Sequence, residues 1–322
     1  MRQQAIGMIV VAGDATAVKA ALDAGATAAR SAGGAITVDI IQKPNDSIPT
    51  VPAAGSETAG NPGTGLPPAA TPEMERLFNS TEARAIKEEI CKVGRKLWQR
   101  SYVDGNGGNI SCRIGENAVI CTPTMLSKAD ITPEDLCLVD LEGSQIAGNL
   151  LRTSDIFLHL EIYKKVPEAK GVVHCHPPHA TAYAITGSVP PTGVIPEFDV
   201  FVGSVALARY ETPGTKKFAE TVLPFVRNHN TILLGNHGIV CWADTPTHAE
   251  WHAENLETYC WTLLISSQLG IPYNKIPADK QQDLLAIKKR LGLPDARFDR
   301  REGARAEAPE HPGAIVQIPP DK

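Results

Sequence analysis

The segment Gly171-Val-Val-His-Cys-His-Pro-Pro-His179 ends an apolar run with histidines at alternate positions. In a strand successive side chains take opposite faces, so His174 and His176 should point one way and Cys175 the other. Two imidazoles about two strand residues apart on one face can grip a divalent ion in a cis arrangement. Pro177-Pro178 then stops the strand and leaves the histidines at its mouth. A lone histidine usually fills a core or surface position, but an HxH pair closing a strand makes metal binding a serious alternative. A second site has the same character. Thr231–Leu234 reads as a buried strand, Gly235-Asn-His-Gly238 as the turn that closes it, and Ile239–Trp242 as the return strand. Glycines on both sides let the backbone bring His237 close to another element. Three histidines are the usual protein ligand count for a catalytic site with an open position.

Upstream of the HxH pair, Arg152-Thr-Ser-Asp155 precedes the amphipathic stretch Ile156–Tyr163. Thr153, Ser154 and Asp155 are N-cap residue types, and capping alone would account for them. A helix N-terminus with two hydroxyls also suits a phosphate, through free N–H groups and the helix dipole. Asp104-Gly-Asn-Gly-Gly-Asn-Ile-Ser-Cys-Arg113 is a Gly-rich turn before a strand, able to form an anion nest and equally able to be only a turn.

Together these blocks resemble the class II aldolase/adducin family, which includes fuculose-phosphate aldolase and ribulose-phosphate 4-epimerase. Gly108-Asn-Ile-Ser111, Thr122-Pro-Thr-Met-Leu-Ser-Lys128 with Leu136–Asp140 behind it, Thr153-Ser-Asp155, His174-Cys-His176 and Asn236-His-Gly238 occur in the family's order, and the 61-residue step from His176 to His237 fits its layout. The resemblance spans about residues 80–269. It implies an α/β/α sandwich around a mainly antiparallel sheet, a homotetramer, and a Zn2+-dependent retro-aldol or epimerisation site for a phosphorylated ketose. It implies His174, His176, His237 and Asp155 as metal ligands and Asp155 as proton carrier. Gly108, Asn109, Thr124, Met125, Thr153 and Ser154 match the family's substrate-phosphate contacts.

Three departures bear on the chemistry. The aldolases carry Glu where this chain has Asp155, whereas the 4-epimerases carry Asp. Met125 stands where the family usually shows a glycine. The stretch Thr186–Val200 contains no tyrosine, although the aldolases place one there; Glu197 or Asp199 could carry the proton instead, or be plain loop charges. The later block Arg209-Tyr-Glu-Thr-Pro-Gly-Thr215 is present.

The residues fit such chemistry on their own terms. Cleaving C3–C4 of a ketose 1-phosphate leaves an enediolate, which a divalent cation stabilises as a Lewis acid. Neutral imidazoles leave the ion's charge largely undiminished. They suit zinc well, with iron(II) and manganese(II) open as alternatives. No lysine stands out in an apolar strand for a Schiff base, although Lys128 stays open. His248 and His252, in Thr247-His-Ala-Glu-Trp-His252, lie four apart on a helix in the order HxExH rather than HExxH, and read as packing and surface.

The remaining elements frame that site. With 322 residues, 43% hydrophobic content and net charge −5, the chain can bury one or two cores and offers no basic footprint for nucleic acid. No apolar run nears the roughly 20 residues a membrane span needs. The start, Met1–Val11, is interrupted too soon for a signal peptide. Seven cysteines without a CxxC pair point to reduced thiols in a cytoplasmic setting. Residues 1–48 read as a small β-α-β unit, 49–72 as a Pro/Gly/Ala-rich linker, 73–288 as the catalytic domain and 289–322 as a charged, Pro-rich tail. The first unit is small for independent stability. It resembles part of a bacterial microcompartment shell domain, which implies shell proteins as partners and a location inside a microcompartment. The overall expectation is a metal-dependent class II aldolase acting on a fuculose- or rhamnulose-1-phosphate-like ketose. A ribulose-phosphate 4-epimerase-like enzyme and a non-catalytic adducin-like scaffold are the alternatives, and the histidines weigh against the scaffold.

Overall fold

The computed structural model describes residues 71–299. The expected β-α-β unit, nearly all of the linker and the end of the tail lie outside the described residues.

Thr71 caps the first helix, α1 (Pro72–Phe78), and Ser80 caps α2 (Thr81–Gln99) by accepting a hydrogen bond from the Ala83 amide at 3.1 Å. On α2 the buried residues Ala83, Ile90, Val93 and Leu97 recur at seven-, three- and four-residue steps, giving one apolar stripe that must be covered. It is covered by a sheet of eight strands: β1 (Asn109–Gly115), β2 (Ala118–Cys121), β3 (Cys137–Val139), β4 (Gln145–Ala147), β5 (Gly171–Cys175), β6 (Ala206–Ala208), β7 (Thr231–Leu234) and β8 (Gly238–Ala243). Their order is β4-β3-β2-β1-β5-β8-β7-β6, and every pairing but β6–β7 is antiparallel.

Helices cover both faces, as the alternation in the central strands requires. Val173 and Cys175 of β5, with Ile239 and Cys241 of β8, pack on the side of α2 and of the long helix α7 (Pro246–Gln268). Val172, Val240 and Trp242 pack on the other side, against α3 (Ile156–Lys165) and α6 (Lys216–Glu220). Fully burying each such valine contributes on the order of 1.5–3 kcal/mol. The chain therefore folds as an α/β/α sandwich, with α4 (Pro178–Thr186) and α5 (Pro196–Phe201) leading out of β5.

The folded domain runs further than residue 288. After α8 (Ala278–Arg290), Asp295 is buried and Arg297 reaches back to it at 2.8 Å and to Asp199 at 2.6 Å, while Lys288 donates to the Val202 carbonyl at 2.8 Å. Residues 289–299, expected as tail, are thus built into the domain by a buried ion cluster. Composition alone did not reveal this, because Asp295 and Arg297, which look like solvated tail charges, find Ser204 and Asp199 91 and 98 positions away.

His159 on α3 and His252 on α7 are fully enclosed, and burial pushes both imidazoles down to about 3. An unfolded chain protonates these rings below about 6.5. Between those two values the unfolded state binds more protons, so the stability they contribute is whole above about pH 6.5 and is lost as pH falls toward about 3. The urea midpoint should therefore drop between about pH 7 and pH 4, and His252→Leu should make that drop shallower. A His252→Leu slope equal to that of the native chain would refute this account.

Candidate metal centre

The site forms where β5 lies between β1 and β8. Antiparallel register sets His174 opposite Asn109 on one side and opposite Val240 on the other. The His174 ring is buried, and its Nδ1–H donates to the Ile239 carbonyl at 2.8 Å. That bond fixes the tautomer and leaves an Nε2 lone pair facing the site. His176 sits just past the strand end, its amide anchored on the Tyr102 carbonyl at 2.7 Å. His237 arrives from the β7–β8 turn. Asn236 there takes a left-handed conformation, with φ of 55°. A Cβ on Gly238 would lie 2.5 Å from the Cys175 carbonyl oxygen and 2.7 Å from the His176 ring, so only glycine admits this approach.

The three rings converge. Their centroids lie 4.6–5.1 Å apart, and one nitrogen from each falls within 4.8 Å of the others. His174 Nε2 and His176 Nε2 are 3.1 Å apart. Burial lowers the pKa of all three, most of all that of His174, where the neighbouring imidazoles lower it further. With the His174 proton on Nδ1, the His176 Nε2–H can donate to His174 Nε2, and a divalent ion would replace that proton and take both lone pairs. Two ligands on a tetrahedral zinc at about 2.05 Å would stand roughly 3.3 Å apart, close to the observed separation. The His237 Nδ1 is also buried without a hydrogen-bond partner. The donor set therefore fits a divalent ion.

Asp155 adjoins this cluster. It occupies the N-cap of α3, yet its side chain makes no capping bond. Its Oδ2 lies 3.9 Å from His174 Nε2 and accepts from Asn109 Nδ2 at 3.3 Å, while Oδ1 is buried without a partner. Capping thus does not account for this carboxylate.

The hydroxyl-bearing segments meet through a short strap. The Thr153 amide donates to the Thr122 carbonyl at 3.1 Å and the Thr124 amide to the Leu151 carbonyl at 2.9 Å. In this antiparallel strap Thr122 lies beside Thr153, Pro123 opposite Arg152 and Thr124 beside Leu151. Met125 is exposed and has a φ of 57°, the left-handed conformation that glycine favours. The turn geometry is thus kept although the glycine is gone. Gly108 is likewise left-handed and buried against Val103 and the His174 carbonyl.

The other candidates separate. Asp199 is buried, accepts from the Gly193 amide at 2.7 Å and pairs with Arg297, so its carboxylate is fully engaged. Glu197 is exposed on α5 and lines a groove with Phe198 and Trp251. Lys128 is buried with its ammonium donating to the Asn106 and Leu126 carbonyls, which bridges two loops, and burial lowers its pKa to about 8. His248 pairs with Asp244 on the surface and His252 is core, apart from the three-histidine cluster. Sequence reasoning missed Phe218, whose ring lies 5.4 Å from that of His237, and Gly214, which a Cβ would bring 3.6 Å from Ser154. The Arg209–Thr215 block was the available signal for both, since it leads into α6.

Residues 88–264 match the model for the class II aldolase and adducin N-terminal domain. The chain is 37% identical over 169 residues to the L-fuculose phosphate aldolase of Methanococcus maripaludis, an alignment covering 52% of this chain and 91% of that protein. It is 33% identical over 177 residues to the 3-oxo-tetronate 4-phosphate decarboxylase of Haemophilus influenzae, covering 54% and 84%. Among solved structures, YgbL of Klebsiella pneumoniae superposes with a TM-score of 0.58 at 26% identity, over 64% of this chain and all of that one. An L-fuculose 1-phosphate aldolase superposes at 0.60 and 24%, over 67% and 99%, a likeness of fold. The protein belongs to the class II aldolase/adducin family.

The purified chain should carry about one divalent ion per subunit, measured by atomic emission. His174→Ala and His237→Ala should each lose it, because two imidazoles hold a catalytic ion weakly. Full occupancy in both variants would overturn the assignment.

Proposed function

We propose that the protein is a zinc-dependent lyase that cleaves a phosphorylated ketose by retro-aldol chemistry, giving dihydroxyacetone phosphate and an aldehyde. The observation that carries this reading is the convergence of three imidazoles beside a carboxylate with one unpartnered oxygen at a helix N-terminus. His174, His176 and His237, with Asp155 adjoining, would hold the ion. When bound, it supplies Lewis-acid stabilisation of the charge that develops on the substrate's carbonyl and neighbouring oxygen.

The chain's own residues do the remaining work. Thr153 and Ser154, just before α3, would offer their hydroxyls to the phosphate, aided by the helix dipole. Thr124, Gly108 and Met125 would complete the phosphate's surroundings, whereas the Asn109 side-chain amide is engaged with Asp155 and His159. Asp155 Oδ1, with no other partner, is positioned to take the proton of the hydroxyl whose C–C bond breaks. With Asp199 engaged elsewhere and Glu197 exposed, Asp155 is the carboxylate best suited to this role.

Decarboxylation of a phosphorylated 3-oxo acid is a second reading, favoured by the likeness to the Haemophilus influenzae decarboxylase. It leaves the same kind of enediolate and needs no proton removed from a hydroxyl. A panel of fuculose-, rhamnulose- and ribulose-phosphates and 3-oxo-tetronate 4-phosphate, read out as aldehyde or carbon dioxide, distinguishes the two.

On the preferred substrate, Asp155→Asn should lower kcat by roughly 10²–10⁴-fold with little change in phosphate binding. Ser154→Ala should chiefly raise KM through loss of a phosphate contact. An unchanged kcat in Asp155→Asn would exclude this residue as proton carrier. All of the proposed ligands and acids lie within the described domain, so a shortened chain beginning at Glu73 should keep its metal and its turnover. Loss of either would make residues 1–72 part of the catalytic unit.

A further inference from the structure

Behind the proposed site a line of polar side chains runs into the protein between the sheet and α3. Tyr163 Oη lies 2.8 Å from Ser111 Oγ, Ser111 Oγ lies 2.7 Å from His159 Nδ1, and His159 Nε2 lies 2.5 Å from Asn109 Oδ1. Asn109 Nδ2 then reaches Asp155 Oδ2 at 3.3 Å. All five residues are buried. Such groups are costly without partners, and their donors and acceptors must match one to one.

Matching begins at Asp155. An ionised carboxylate only accepts, so Asn109 must turn its NH₂ toward Oδ2 and its carbonyl oxygen toward His159. That oxygen needs a donor, which requires the proton on His159 Nε2. Nδ1 is then a bare acceptor and takes the Ser111 hydroxyl proton. Ser111 Oγ accepts in turn from Tyr163, whose single hydroxyl proton is shared between Ser111 Oγ at 2.8 Å and the more distant Lys170 carbonyl at 3.2 Å. The hydrogen bonds therefore all run one way, from Tyr163 to Asp155. Reversing any one of them would place two acceptors or two donors face to face.

We propose that His159 is a positioning residue: in its Nε2–H tautomer it locks the Asn109 amide, which holds Asp155 Oδ2 and leaves Oδ1 free toward the substrate. This rests on the proton-carrying role proposed above for Asp155. His159 does not touch the three-histidine cluster, and it acts only through Asn109. Both of its partners, Asn109 and Ser111, lie on β1 while His159 itself is on α3, so the same bonds also fix the strand against the helix whose start carries Asp155. Without the Nε2 donor the Asn109 amide can turn over, presenting an oxygen to the carboxylate and driving Asp155 from its place. A displacement of about 1 Å at a reacting group can cost as much as 10²-fold in rate.

The test joins a spectroscopic with a kinetic measurement. Nitrogen-15 NMR of histidine-labelled protein, with and without zinc, should show His159 protonated at Nε2 and bare at Nδ1. The opposite tautomer overturns the proposal. His159→Phe should keep the metal content while kcat falls by about 10- to 100-fold and KM stays within a few-fold. His159→Gln, which retains a donor near the Nε2 position, should recover most of the kcat. Unchanged kcat in His159→Phe, or equal losses in the two variants, would overturn the positioning role. If His159→Phe does not fold, the tautomer and the His159→Gln kcat decide by the same criteria. Absence of turnover by the unaltered protein on every substrate of the panel would sink the functional reading and the catalytic role with it, whereas the tautomer measurement stands or falls separately.

Discussion

Everything at this site follows from one constraint: three imidazoles must be held with a nitrogen of each facing a common point. Burial favours the neutral form of every ring. His174 cannot turn away, since its Nδ1–H is tied to the Ile239 carbonyl. Bringing such groups together before any ion arrives has a cost in the apoprotein. The sheet carries that cost. β5 is paired along both edges, and its neighbours supply the Ile239 carbonyl on one side and Asn109 on the other.

Seen from the sheet, the two sides of β5 have different duties. Val173 and Cys175 face the larger core with α2 and α7. Val172 and His174 face α3, where the apolar packing of Ile162 and Leu158 gives way, one turn from the helix start, to His159 and then Asp155. A single residue step of register in β5 would exchange these faces and bury the histidines among apolar side chains. The extensive apolar burial on both faces therefore also sets where the imidazoles can be.

Much of this was legible in the chain. Alternation in Val172-Val173-His174-Cys175-His176 already places the two histidines together, and Gly235-Asn-His-Gly238 announces a turn that brings a third. Local chemistry could not reveal what depends on distant partners. Asp199 looks like a loop acid, but Arg297, 98 positions later, occupies it. Residues 289–299 look like tail for the same reason. Asn109 reads as part of a phosphate-binding turn, and only the β1–β5 register shows its side chain directed to Asp155 and His159 instead. Met125 seemed to forfeit a glycine's backbone freedom, yet the strap between residues 122–124 and 151–153 holds it in the glycine-like conformation regardless.

That last case shows how the site tolerates substitution. A non-glycine residue in the left-handed region costs on the order of 1 kcal/mol, which the flanking backbone bonds of the strap can offset. The same cost at Gly238 could not be met, because its obstacle is steric: a Cβ would press on the Cys175 carbonyl oxygen at 2.5 Å, and that carbonyl belongs to β5 itself. Moving it would disturb the strand that sets His174 and His176. The two turns are therefore unequal. The one bearing Met125 is exposed and can vary in side chain. The one bearing His237 is fixed by contact with β5, so the place where the three imidazoles meet is constrained more tightly than the Met125 turn.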